Sequence, residues 1–170
     1  GLNLTHSEPL PAFLDRFGPA RDWLKGPIEA FPPDALCAFA HGLGQPTFVG
    51  SSGRVFPRTM KASPLLRTWL ARLARQGVEV QLRCSLAGFD AGGRPRFAGP
   101  DGASAPLTAD ATVLALGGAS WPRLGSDGGW VGVLQELGVR VHPLVPANAR
   151  AEIAWSGHFR SRHAGAPLKR

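Results

Sequence analysis

A chain of 170 residues that is 44% hydrophobic and 18% charged has enough apolar surface for one ordinary folded domain and too little length for two comfortable ones. This composition excludes a wholly disordered chain, a collagen-like repeat and a charged coiled coil, although 22 Gly and 16 Pro are many for a compact domain and Tyr is absent. The net charge of +7 comes from sixteen Arg and three Lys scattered along the chain, densest at Arg67, Arg72 and Arg75 and at Arg160, Arg162, Lys169 and Arg170. No basic run forms and no aromatics interleave with these groups, so they read as solvated faces rather than as a phosphate-binding stripe.

The chain starts Gly1-Leu2-Asn3 without Met and stops at Pro167-Leu168-Lys169-Arg170, which raises the expectation of a segment of something longer. Ser7-Glu8-Pro9 predicts a helix start, with Leu10, Phe13, Leu14 and Phe17 at helical spacing before Gly18. A second helix is expected over 21–30, interrupted at Gly26-Pro27, and a third from Pro33 to His41, ending at Gly42. Thr47-Phe48-Val49 and Arg54-Val55-Phe56 flank the turn Gly50-Ser51-Ser52-Gly53 and read as a hairpin. Ser63 is a good N-cap with Pro64 at the first helical position, and Leu65, Leu66, Trp69, Leu70 and Leu73 make one apolar stripe that Gly77 stops. The alternating run 78–82 is expected as a strand, so that helix, glycine and strand form half of a βαβ crossover.

Between 83 and 110 the turns Asp90-Ala91-Gly92-Gly93 and Gly99-Pro100-Asp101-Gly102 separate short strands at 86–89, 94–98 and 105–108, a small β-meander. The continuous apolar run from Ala111 to Leu116 predicts a strand buried on both faces of a parallel sheet, ending at Gly117-Gly118. A short helix is marked by Trp130, Val133, Leu134 and Leu137 and closed by Gly138, Val139-Arg140-Val141 is strand-like, and 150–170 shows little periodicity beyond Ala151 to Trp155.

Cys37 sits in an apolar stretch as a buried structural thiol, Cys84 has nothing to activate it, and the five His lack metal-ligand spacing, so no metal is expected. No apolar stretch reaches the roughly 18 to 20 residues of a membrane span and no signal peptide opens the chain, which predicts a cytoplasmic protein. There is no GxGxxG, no GxxxxGK[ST], no GxSxG and no spaced carboxylate pair, so the catalytic residues are unknown. The one arrangement that stands out is an apolar run ending in two glycines, which lets a ligand approach the backbone at the carboxyl edge of a sheet; a tight strand exit with nothing bound accounts for it equally well.

Helix, strand, meander and an apolar strand ending in Gly-Gly is the layout of FAD-dependent oxidoreductases of the glutathione-reductase type. Four ordered segments, 1–7, 53–62, the LALGGASWPRLGSDG stretch at 114–128 and 143–147, more closely resemble a bacterial family of NAD(P)/FAD-dependent, aminoacetone-oxidase-like flavoproteins. The resemblance implies an α/β fold: a partial Rossmann-like FAD-binding domain over 1–142 with an inserted meander at about 83–110, and from 143 to 170 the beginning of a second, β-rich domain. It places Asn3 and Thr5 near the flavin and pyrophosphate, the Leu86 backbone near the adenine, and Ala115, Leu116 and Gly117 against the cofactor, with Arg58 and Lys61 facing the flavin or an anionic group. FAD is the implied cofactor, NAD(P)H the implied electron donor and a small molecule the implied substrate.

Leu116 stands where relatives have Thr, Leu2 where many have Cys, Thr59 where they have Ser, and Trp121 and Trp130 where Tyr is common. The family's glycine-rich strand–turn–helix and its C-terminal return to the FAD domain find no counterpart in these residues, so weak FAD binding or none is expected of the chain alone. Two other classes remain: a non-catalytic binding or scaffold module that has lost its nucleotide site, and, last, a basic nucleic-acid binder. The oligomeric state is left open.

Overall fold

The computed structural model describes residues 2–102, 104–145 and 154–163. Gly1, Pro146, Ala147, Ala151–Ile153 and the terminal Lys169-Arg170, all named above, lie outside the described residues. The architecture is mixed α/β with two small antiparallel sheets, one in each of two compact units, 1–81 and 82–170.

In the first unit, β1 (Thr5–His6), β2 (Thr47–Val49) and β3 (Arg54–Pro57) form a sheet in the order β1-β3-β2. The hairpin register pairs Phe48 with Phe56 and Val49 with Val55, and β1 sets Thr5 opposite Val55 and His6 opposite Arg54. Around the sheet lie α1 (Leu10–Asp15), α2 (Arg21–Ala30), α3 (Pro33–Gly42) and α4 (Ala62–Arg75). Ala40, 0% exposed, meets Leu43 and Leu65 in the core, with Leu2, Leu4 and Phe39 packed against them.

Helix α2 runs through Pro27 rather than breaking there. The ring lacks the N–H that Trp23 C=O would accept, a loss this exposed helix tolerates because water reaches that carbonyl. Helix α4 begins two residues earlier than its sequence cap suggests: Lys61 occupies the N-cap position, no side chain caps the helix, and Ser63 and Pro64 lie inside the first turn. Its end follows the expectation. Gly77, at φ +79°, donates to Ala74 C=O at 3.1 Å while Val78 donates to Leu73 C=O at 3.0 Å, the paired bonds of a Schellman closure. Of the apolar stripe only Leu65 is buried; Leu66 is 51% exposed, and Trp69 meets Phe39 edge-on with ring centroids 5.5 Å apart.

The run 78–82 is not a strand. A strand needs a hydrogen-bonded neighbour, and none among the described residues pairs with these, which stay exposed. The crossover expected from helix, glycine and strand is therefore not formed among the described residues.

The second unit carries the expected meander, β4 (Ser85–Phe89), β5 (Pro95–Ala98) and β6 (Ser104–Pro106), in the order β4-β5-β6. Asp90 builds the first turn: its Oδ1 accepts the amides of Gly92 and Arg94, each at 2.9 Å, and its Oδ2 pairs with the Arg94 guanidinium at 2.7 Å. Hydrogen bonding from the Arg94 amide is the main cause that holds the Asp90 carboxyl below its ordinary range. Helix α5 (Trp130–Glu136) packs on β4 and closes at Gly138.

Ala111 to Leu116 is not a buried parallel strand: among the described residues it pairs with no strand, and Val113 is 89% exposed. Val139 to Val141 likewise forms no strand. An apolar run bounded by turns reports that a strand can form, while the pairing partner has to come from elsewhere in the chain. Within 143–170, the regular structure among the described residues is helix α6 (Gly157–His163).

Candidate functional site

The sequence-selected cofactor residues fall on both units. Asn3 and Thr5 lie at the start of β1. There Leu4 donates to Val55 C=O at 2.8 Å and Ser7 to Gly53 C=O at 2.8 Å, which ties the segment to the hairpin. Thr5 is buried and Asn3 exposed. Both line a cavity of about 600 Å³ bounded by β1, β3 and the first three helices.

The polar wall of this cavity is ordered. His6 accepts the Glu8 amide at Nδ1, 3.2 Å away, so its proton sits on Nε2, which donates to Ser52 C=O at 2.9 Å. The ring packs against Gly53, whose φ of +79° and lack of a side chain let it approach: a Cβ there would stand 2.5 Å from His6 Cε1. Glu8 pairs with Arg16, and this hydrogen bond holds the Glu8 carboxyl below its ordinary range and Arg16 above its own. Arg54 also lines the cavity and forms no ion pair among the described residues.

Ala115, Leu116 and Gly117 line a shallow concavity of about 240 Å³ in the second unit, together with Leu114, Trp130 and Leu134. Gly117 has φ +74°, and a Cβ on it would meet only Ser126 Oγ, at 3.7 Å; one on Gly118 would meet nothing within 4 Å. A planar ligand edge can thus lie against this backbone, as the glycine pair implies. The loop that follows is pinned by reciprocal bonds between Trp121 and Ser126, at 3.0 and 3.2 Å, around a 3₁₀ turn over Pro122–Leu124. The Trp130 indole N–H is buried and has no partner among the described residues. A buried donor left alone costs about 1–3 kcal/mol, so the site is short of one acceptor.

Leu86 stands apart from the concavity. It is half-buried on β4 opposite Phe97, next to the bulge between Leu86 and Gly88. Arg58 and Lys61 are exposed and form no ion pair among the described residues, and between them Met60 takes φ +54°, a conformation that costs a non-glycine residue about 1 kcal/mol or more. Sequence reasoning missed Trp130 and Leu134, which follow the Gly-Gly exit on α5, and missed His6 and Arg54, whose proximity comes from the β1–β3 register. Burial pushes the Cys37 thiol up, consistent with a structural role, while Cys84 is exposed. Among the described residues no group of three His, Cys, Asp or Glu is placed to hold a metal ion, and no helix is long and apolar enough to cross a membrane.

Comparison with known families gives this arrangement its class: residues 1–157 match the model of a Rossmann domain, one of a family of FAD-binding, oxidoreductase-like proteins. The chain belongs to that family, described as the HI0933-like protein Rossmann domain. No curated protein matches the chain significantly.

Proposed function

We propose that this chain forms the middle, flavin-facing part of a FAD-dependent oxidoreductase that passes hydride between NAD(P)H, flavin and a small-molecule substrate. The observation that carries the reading is the open backbone at Gly117-Gly118 beside an uncharged concavity with an unpaired indole donor. These residues fit a flavin: the glycine backbone would take an aromatic edge, Leu114, Leu134 and the Trp130 ring would supply apolar contact, and the indole N–H would offer a donor to it. Bound flavin supplies the two-electron chemistry, and the protein orients and tunes it.

Leu116 restricts its contact to backbone and packing, because it lacks the hydroxyl that Thr would bring. Asn3 and Thr5 supply an amide and a hydroxyl from β1. Flavin affinity of the chain alone is low, since no GxGxxG within it sets a pyrophosphate on a helix N-terminus. The exposed apolar run 111–116 supports the same reading, because it is suited to a sheet whose other strands lie outside these residues.

Equilibrium dialysis with FAD tests the proposal. The expected dissociation constant is about 0.1–1 mM, equivalent to about −5.5 to −4.1 kcal/mol. Gly117→Val, which places a branched side chain at positive φ in the approach path, weakens binding about tenfold or more, and Leu116→Thr strengthens it. A yellow protein purified with stoichiometric flavin contradicts the weak affinity; equal affinities for all three proteins contradict the site. A binding module without redox chemistry is the second reading, favoured by the missing GxGxxG, and it predicts no flavin binding at any of these concentrations.

A further inference from the structure

The cavity of the first unit has a chemistry of its own. Its floor and walls are apolar: Phe13, Phe17 and Phe31 supply three aromatic rings, and Leu24, Ile28 and Leu36 supply aliphatic surface. Phe13 and Phe17 already meet edge-on at 5.5 Å, which leaves a third ring entering between the helices with aromatic partners to pack on. A volume of about 600 Å³ lies within the range of small-molecule sites and exceeds what one or two waters fill.

The charge on the lining is unbalanced. Glu8 and Arg16 neutralise each other, and the His6 ring is engaged by Ser52 C=O and by Glu8. Arg54 is left as a cation without a carboxylate among the described residues, and no acidic side chain lines the cavity. Exposed Asn3 offers a neutral amide at the same wall.

From these features we infer that the cavity binds a small aromatic carboxylate, its ring among the phenylalanines and its carboxylate on the Arg54 guanidinium. A guanidinium takes a carboxylate through two parallel N–H···O bonds, stronger than neutral ones, and an apolar wall weakens the competition from water. If the chain serves a flavin enzyme, the carboxylate is its substrate class; that assignment rests on the flavin reading, while the binding does not.

The test uses the 170-residue chain with 3-phenylpropionate and its uncharged amide, 3-phenylpropionamide, by titration calorimetry or ligand-detected NMR without flavin. The acid binds about tenfold or more tighter than the amide, the gap expected of a charged rather than a neutral hydrogen-bonded pair. Arg54→Gln removes that preference and retains weak binding of both, and Ile28→Trp, which fills the cavity from α2, abolishes both, with circular dichroism verifying that each variant is folded. Equal binding of acid and amide, no binding of either, a preference that survives Arg54→Gln, or binding that survives Ile28→Trp each overturns the inference. Repeating the titration with saturating FAD separates the two readings. Displacement of the acid by FAD makes the cavity part of the flavin site and overturns the inference. Acid binding by a chain that does not bind FAD sinks the flavin reading and leaves the carboxylate site standing.

Discussion

Leu65→Ala lowers the stability of the first unit by about 2–5 kcal/mol, the range for removing a buried leucine from a core that cannot close over the gap. Leu65 is 9% exposed and meets Ala40 and Leu43, and this cluster is small enough that one residue carries a large share of its apolar contact. Its sequence neighbour is the control. Leu66 is 51% exposed, so Leu66→Ala changes stability by no more than about 0.5 kcal/mol, although both belong to the same apolar stripe. Urea unfolding followed by Trp fluorescence measures both. Equal costs would mean that α4 packs with a different face than the one described.

Gly53→Ala is the second large effect, and its cause is steric and conformational together. At φ +79° an alanine is strained by about 1–2 kcal/mol, and its Cβ would stand 2.5 Å from His6 Cε1, so the imidazole must leave its place. Displacing the ring also breaks its bonds to Ser52 C=O and the Glu8 amide, for a total cost of about 2–4 kcal/mol. In a His6→Ala background the clash and the lost bonds no longer count, and the cost of Gly53→Ala falls to the strain alone, about 1–2 kcal/mol. Four-member denaturation cycles give the coupling directly; additive effects would show that the His6 ring does not occupy the space over Gly53.

Elements whose signals are local were legible in the sequence. Gly77 ends α4 because a left-handed residue satisfies the last carbonyls, and Asp90 with Gly92-Gly93 makes the β4–β5 turn because a short carboxylate bonds the next amides. Elements that depend on a distant partner were not. The runs 78–82 and 111–116 have strand composition, yet hydrogen-bonded neighbours decide whether a strand exists, and those are absent among the described residues.

The stripe on α4 illustrates the same limit, since periodicity marks which residues share a face but not how much of that face is covered. For the site, Ala115, Leu116 and Gly117 line one concave surface and Asn3 and Thr5 line another, whereas Leu86 lines neither. Arg54 and Trp130 were named as parts of a hairpin and a helix but not as site residues, because that role comes from pairing register and from a buried N–H without an acceptor, neither of which leaves a pattern in a single sequence.

The proposed flavin contacts are the backbone after the 111–116 run in the second unit and, independently, Asn3 and Thr5 in the first. Amide-resolved NMR of the isotope-labelled chain during FAD addition tests them most directly, because weak binding in fast exchange still moves individual resonances. The expected shifts are concentrated at the amides of 115–118, at the Trp130 indole N–H, and at Asn3 and Thr5. Shifts absent from 115–118, or gathered instead on the arginine-rich face of α4 at Arg67, Arg72 and Arg75, would contradict them.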